Sequence, residues 1–68
     1  MQYFIDVILP IPLERLFTYS ITKAESEFLK VGMRTAVPFG KSKIYTALVY
    51  NIHQDKPEVY EAKPIHQI

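Results

Sequence analysis

Two prolines separated by a single residue, Pro10 and Pro12, constrain this chain more than any other feature of its sequence. Each ring fixes its own φ, removes a backbone donor and pushes the preceding residue toward extended geometry. The segment can therefore be neither a helix nor a fully hydrogen-bonded strand. We expect a rigid, extended connector that leads into a short strand, in which alternation would place Phe17 and Tyr19 on one face and Thr18 on the other.

The remaining sequence also favours short strands, because β-branched and aromatic residues lie in short runs between proline and glycine turns. The predicted strands are Gln2 to Leu9, Leu16 to Ile21, Met33 to Phe39 and Ile44 to Ile52, with one more short strand after Tyr60. Thr22 and Glu25 have capping-box spacing, which predicts one short helical turn. We expect a mainly all-β fold: a small antiparallel β-barrel or strongly bent sheet of four to six short strands, since closure protects sheet edges.

Length and composition narrow the classes of protein. A chain of 68 residues forms a single domain, residues 1–68, and domains of this size bury only about 60% of their unfolded surface. No cysteine is present, which excludes disulfides and thiolate metal sites. His53 and His66 have no carboxylate spaced as a co-ligand, so we expect no zinc site. The amino terminus has neither a basic region nor a long apolar run, and we expect a cytoplasmic chain without membrane contact.

The charge distribution is more informative than the net charge of +1. Between Phe28 and Gln54 the chain has four basic residues and no acidic one; the basic residues are Lys30, Arg34, Lys41 and Lys43. This bias suits a phosphate-bearing partner, although it is also common on a solvated face. No histidine stands beside a serine and a carboxylate, and no nucleophile elbow is present, so nothing predicts an enzyme active site.

A binding constellation remains. Phe17 and Tyr19 could stack nucleic-acid bases, and Gly40 would allow a ligand backbone to approach closely. The candidate cations are Lys63, with Lys41 and Lys43 as contacts for DNA phosphates. Each residue also has a structural explanation, since the aromatics could be core, the glycine a turn and the lysines solubilising.

Several segments, in this order and spacing, resemble one family. They are Leu9 to Leu13, Phe17 to Tyr19, Lys30 to Arg34 and Val37 to Lys41. The chain is similar to the amino-terminal domain of the bacterial primosomal replication-restart helicase PriA (primosomal protein N′). The similarity extends from the first strand to Lys63, and the chain ends at Ile68 without a polar tail. We therefore expect residues 1–68 to be a fragment of a longer helicase.

The resemblance implies a small β-domain that binds the free 3′ end of DNA, the nascent leading strand, and orients the helicase on stalled forks. Its pocket for the 3′-terminal nucleotide would comprise Phe17, Thr18, Tyr19, Gly40 and Lys63. Some family members have aspartate where this chain has Thr18. Because a hydroxyl can donate as well as accept, whereas an ionised carboxylate only accepts, we expect weaker base discrimination here.

The resemblance also assigns the chemistry of the whole protein to other domains. ATP, Mg and zinc would be bound by the rest of the helicase, so no cofactor and no catalytic residue is expected in this fragment. Its partners would be DNA with a free 3′ end and the remaining helicase domains, with primosome proteins and single-stranded DNA-binding protein reached through the full-length enzyme. The alternative is a protein-interaction or structural β-barrel module without nucleic-acid binding; a stand-alone small enzyme has no residue set to support it.

Overall fold

The structure, a computed structural model, describes residues 1–58 and 60–68. The described elements are β1 (Tyr3–Ile8), β2 (Phe17–Ile21), α1 (Lys23–Phe28), β3 (Arg34–Phe39) and β4 (Lys43–His53). The strands pair antiparallel in the order β2-β1-β4-β3. The sheet curls into a half-barrel, which confirms the predicted fold class.

The core lies on the concave face of this sheet. Ile5 and Val7 of β1 are fully buried, and in the β1–β2 register they pair with Tyr19 and Phe17. The prediction that Phe17 and Tyr19 share one face of β2 is therefore confirmed. The β1–β4 register shifts between Asp6 and Val7, and such an irregularity adds local bend and twist.

The two edge strands, β2 and β3, are joined by the carboxyl-terminal segment. Residues 63–67, called the strap below, form a parallel bridge between Pro64 and Ser20 of β2 and an antiparallel bridge between Gln67 and Ala36 of β3. Ser20 N–H donates to the carbonyl of Lys63 at 2.8 Å, and Ala36 N–H donates to that of Gln67 at 2.7 Å. The predicted last strand is therefore wrong for the described residues, because the segment makes isolated bridges to two different edges.

The proline connector is more tightly folded than an extended chain. Backbone N–H groups donate to carbonyls two residues earlier at Ile11, Leu13 and Arg15, over distances of 2.8, 2.8 and 3.0 Å. This pattern defines successive γ-turns centred on Pro10, Pro12 and the following Glu14. Proline suits the central position because its fixed φ is close to that of an inverse γ-turn. The prediction of rigidity fits this geometry, whereas the prediction of an extended path is wrong.

The short helix and the two glycine turns follow local sequence signals. Thr22 caps α1 with both bonds of the capping box to Glu25, as predicted. Gly32 has φ +96° in the turn before β3, and Gly40 has φ +70° in the turn between β3 and β4. Both positions lie in the left-handed region that favours glycine. In the described part of the chain, no helix has the length and apolar character needed to cross a membrane.

Candidate functional site

A pocket of about 290 Å³ opens where the connector, both edge strands and the carboxyl-terminal segment meet. Its lining residues are Arg15, Phe17, Thr18, Tyr19, Pro38, Phe39, Gly40, Tyr60, Glu61 and Lys63. The sheet curl creates this site, since β2 and β3 are at opposite ends of the strand order. All five residues that the family resemblance singles out therefore lie around one pocket, although their positions span 17 to 63 in sequence.

Direct contacts hold the two edge strands together at the base of this pocket. The Phe17 and Phe39 rings meet edge to face, with centroids 5.4 Å apart and an interplanar angle of 88°. The hydroxyl of Tyr19 donates to the carbonyl of Pro38 at 2.7 Å. Pro38 can occupy β3 because an edge strand does not need every backbone donor.

The two aromatic residues of β2 have different environments. Phe17 is half-buried, whereas only 5% of Tyr19 is exposed. Burial, together with the nearby Tyr60, raises the pKa of the Tyr19 hydroxyl above its ordinary value, so the group remains a protonated donor. Tyr19 therefore forms the floor of the pocket and fixes its shape, while the predicted role of a stacking platform fits the more exposed Phe17 better.

A cation covers part of Phe17. The Cζ atom of Arg15 lies 4.8 Å from the centroid of the Phe17 ring, within the range of a cation–π contact. In the described part of the chain, no carboxylate lies within ion-pair distance of this guanidinium. The γ-turn that ends at Arg15 brings the side chain to the pocket.

Gly40 forms part of the wall opposite β2. A Cβ built at this position would have no heavy atom within 4 Å, so the space beside its backbone is open. Gly32 has the same open surroundings and also a positive φ, but it does not line the pocket. The open space at Gly40 is thus available to a ligand, and Gly32 provides a matched position elsewhere in the fold.

The carboxyl-terminal segment supplies the last wall. Lys63 is exposed, and its carbonyl accepts the hydrogen bond from Ser20 that anchors the strap to β2. Tyr60 and Glu61 line the same wall, and the Glu61 carboxylate lies 3.6 Å from the Lys56 ammonium. The pocket therefore combines aromatic surface with two cationic side chains, those of Arg15 and Lys63, and one carboxylate.

The side chain of Thr18, unlike those of Phe17 and Tyr19, forms a hydrogen bond outside the pocket. Its hydroxyl donates to the Asp6 carboxylate at 2.7 Å, and the same carboxylate oxygen lies 3.0 Å from Nε2 of His53. Phe4 stacks on the His53 ring at a centroid distance of 6.0 Å. Thr18 thus lines the pocket, while its hydroxyl joins a polar cluster that links β2, β1 and β4.

The Asp6 carboxylate at the centre of this cluster is stabilised in its charged form. Burial alone would raise its pKa, but the hydrogen bonds from Thr18 and His53 and the charge interaction with His53 outweigh burial. The pKa of Asp6 is consequently lower than its ordinary value.

The other two predicted DNA contacts lie outside the pocket lining. Lys41 follows Gly40 in the turn, and Lys43 begins β4, where it pairs with Phe39. Both side chains are exposed. Their contact with DNA phosphates stays a prediction.

Sequence reasoning missed half of the lining residues. Phe39 lies within Val37 to Lys41, a segment that carried the family resemblance, so that motif could have indicated it; Arg15 lies between two such segments. Tyr60 and Glu61 follow a polar turn and carry no local signal for a binding role. Among residues 1–58 and 60–68, no three His, Asp or Glu side chains are grouped closely enough to hold a metal ion.

Comparison with known proteins assigns the chain to a family. Neither the curated proteins nor the solved structures provide a match. The family model of the PriA 3′ DNA-binding domain (3′BD) matches residues 6–68, which include every strand of the sheet except the start of β1. The chain therefore belongs to the family of PriA 3′ DNA-binding domains.

Proposed function

We propose that the pocket between β2, β3 and the carboxyl-terminal segment holds the 3′-terminal nucleotide of a DNA strand with a free 3′-hydroxyl. The observation that carries this proposal is the convergence of Phe17, Tyr19, Gly40 and Lys63 on one pocket in a member of a DNA-binding family. The volume of about 290 Å³ is near the lower end of small-ligand pockets, which suits one nucleotide better than a length of strand.

The selection of an end over an internal nucleotide follows from the wall that contains Gly40. The open space beside its backbone allows the sugar and its 3′-hydroxyl to approach main-chain polar groups. A phosphate on the 3′ oxygen would need additional space beside this backbone, and we expect the close approach of the sugar to leave none.

The terminal base would be held mainly by stacking. Contact of a base with an aromatic side chain contributes about 1–3 kcal/mol and tolerates any base. Because the Thr18 hydroxyl is bonded to Asp6, it is less available to read the base than an unbonded hydroxyl would be. We therefore expect little preference among the four bases.

In the cell, this domain would hold the 3′ end of the nascent leading strand and so orient a replication-restart helicase on a stalled fork. This role rests on the family, whose full-length members we take to be ATP-dependent 3′-5′ DNA helicases with primosome proteins and single-stranded DNA-binding protein as partners. ATP, Mg and zinc would be bound by those other domains. The fragment itself would act by binding, without catalysis.

A single nucleotide limits the affinity of the isolated chain. One stacked base and a few hydrogen bonds, less the cost of association, predict a Kd of roughly millimolar to micromolar. Tethering to other DNA-binding domains would raise the effective affinity without any new contact in this pocket.

The test compares two oligonucleotides of the same sequence, one with a free 3′-hydroxyl and one with a 3′-phosphate. NMR titration of the chain should show tighter binding of the hydroxyl form, with shifts at Phe17, Gly40 and Lys63. Equal binding of both forms would contradict end recognition. If neither oligonucleotide shifts the pocket residues, the alternative of a structural or protein-interaction module is the better explanation.

A further inference from the structure

The Arg15 guanidinium lies over the Phe17 ring, the side chain that is the better stacking surface of the pocket. The guanidinium carbon is 4.8 Å from the ring centroid, and the perpendicular Phe39 ring packs against Phe17 at 5.4 Å. A base that enters from the Arg15 side therefore meets the guanidinium before it can reach the phenyl ring. Direct stacking on the side of Phe17 that Arg15 covers would require the guanidinium to be displaced.

The backbone conformation before Arg15 restricts where its side chain can lie. The γ-turn closed by its N–H, 3.0 Å from the Leu13 carbonyl, follows two further γ-turns centred on prolines. A connector built this way has little conformational freedom, because the proline rings fix φ at alternate positions. Arg15 is thus presented by a stiff segment rather than by a loose loop.

The chemistry of the guanidinium suits two contacts at once. Its planar group can stack on aromatic faces, and its edge carries N–H donors that match phosphate oxygens. No carboxylate in the described part of the chain lies within ion-pair distance of these donors. Lysine has the same charge but lacks the plane, so the two residues should differ at this position.

We propose that Arg15, held on Phe17, is a base-binding residue of the pocket: the terminal base stacks on the outer face of its guanidinium. Its N–H edge is then directed toward the phosphate that joins the last two nucleotides. This inference rests on the proposed function, since it assumes that a terminal nucleotide enters the pocket.

A thermodynamic cycle that combines one substitution in the protein with one change in the oligonucleotide tests whether Arg15 contacts the terminal base. Wild type and Arg15→Lys are each titrated by NMR with a 3′-hydroxyl oligonucleotide and with the same oligonucleotide lacking its terminal base. We expect Arg15→Lys to weaken binding of the complete oligonucleotide by about tenfold and to leave binding of the abasic one within about twofold. Arg34→Lys, an exposed arginine on β3 outside the pocket, is the matched control and should bind both as wild type does.

The outcomes separate this inference from the proposed function. Equal losses for the complete and abasic oligonucleotides would overturn it, because Arg15 would then contact only the phosphate. Unchanged binding by Arg15→Lys, or a wild type that does not distinguish the two oligonucleotides, would overturn it as well. End recognition would survive each of these results as long as the wild type still prefers a 3′-hydroxyl to a 3′-phosphate.

Discussion

The two sides of β2 perform different tasks although their residues alternate along one strand. On the concave side, Phe17 and Tyr19 build the pocket and join β2 to β3 through Phe39 and Pro38. From between them, Thr18 sends its hydroxyl to Asp6 of the neighbouring strand. Three consecutive residues of one short segment thus make different contacts: the two aromatic rings build the pocket, whereas the hydroxyl between them is bonded to a neighbouring strand.

The largest difference between the Tyr19 side and the Thr18 side of β2 should appear in the free energy of unfolding. Tyr19→Ala removes a buried ring and its hydrogen bond to Pro38, which we expect to lower the free energy of unfolding by about 3–5 kcal/mol. A chain of this length has a total stability of only about 3–10 kcal/mol, so the variant should be largely unfolded near physiological temperature. Thr18→Val removes one hydrogen bond to a charged carboxylate and should cost less, about 1.5–3 kcal/mol. Thermal denaturation followed by circular dichroism compares them, and equal losses would contradict the division.

The next effect concerns binding across the pocket. Gly40→Val places a branched side chain in the open wall and should weaken binding of a 3′-hydroxyl oligonucleotide by about tenfold or more. The variant also strains the backbone, because Gly40 has φ +70°.

Gly32→Val is the control for that strain, since Gly32 has φ +96° but lies outside the pocket. Both variants should lose similar stability, by about 1–2 kcal/mol, and only Gly40→Val should lose DNA binding in a fluorescence titration. Loss of binding in both would mean that the strain, rather than the pocket, is responsible.

On the Thr18 side of β2, we expect a smaller effect, which concerns the stability of the fold at acidic pH. The folded-state pKa of Asp6 lies below its ordinary value of 3.8, so its contribution to stability is complete above that value and is lost as the pH falls through the lower, folded pKa. Asp6→Asn should therefore flatten the acid limb of the stability profile, measured by urea unfolding between pH 6 and about pH 2.

Glu27→Gln serves as the comparison, because Glu27 is exposed on α1 and its carboxylate forms no ion pair in the described part of the chain. We expect this surface substitution to change the free energy of unfolding by no more than about 0.5 kcal/mol. An unaltered limb in Asp6→Asn would show that the cluster does not depend on the charge of this carboxylate.

The smallest effect tests the motif itself. Thr18→Val removes the hydroxyl but keeps the side-chain volume, and we expect affinity for a 3′-hydroxyl oligonucleotide to change by less than about twofold. The preference among the four terminal bases should also stay flat. A change in base preference, measured by titration with four oligonucleotides, would show that the hydroxyl leaves Asp6 to read the base.

Local signals allowed most of the fold to be predicted. The capping box at Thr22, the long alternating strand after Lys43 and the turn glycines each depend on neighbours in sequence. The path of the connector and the final segment were mispredicted because both depend on partners elsewhere. Pro10 permits either an extended chain or a γ-turn, and Pro64 pairs with Ser20, which lies forty-four positions earlier.

The site was harder to predict than the fold for the same reason. Residue types alone suggested Phe17, Gly40 and Lys63 as binding candidates, each with a structural explanation, and only the family resemblance assigned them to one pocket. Their proximity arises from the curl that brings the two ends of the strand order together, a property of the whole sheet. Arg15 was overlooked because a single exposed arginine before a strand has no pattern that distinguishes it from a solubilising residue.

The strap connects one wall of the pocket to both edges of the sheet. The carbonyl of Lys63 accepts the bond from Ser20, while Gln67 holds Ala36, so both edge strands share one short segment with the pocket wall. A ligand that contacts the Lys63 side chain would therefore favour the docked strap by mass action. The amide protons of Ser20 and Ala36, although they lie outside the pocket, would then exchange more slowly when DNA is bound.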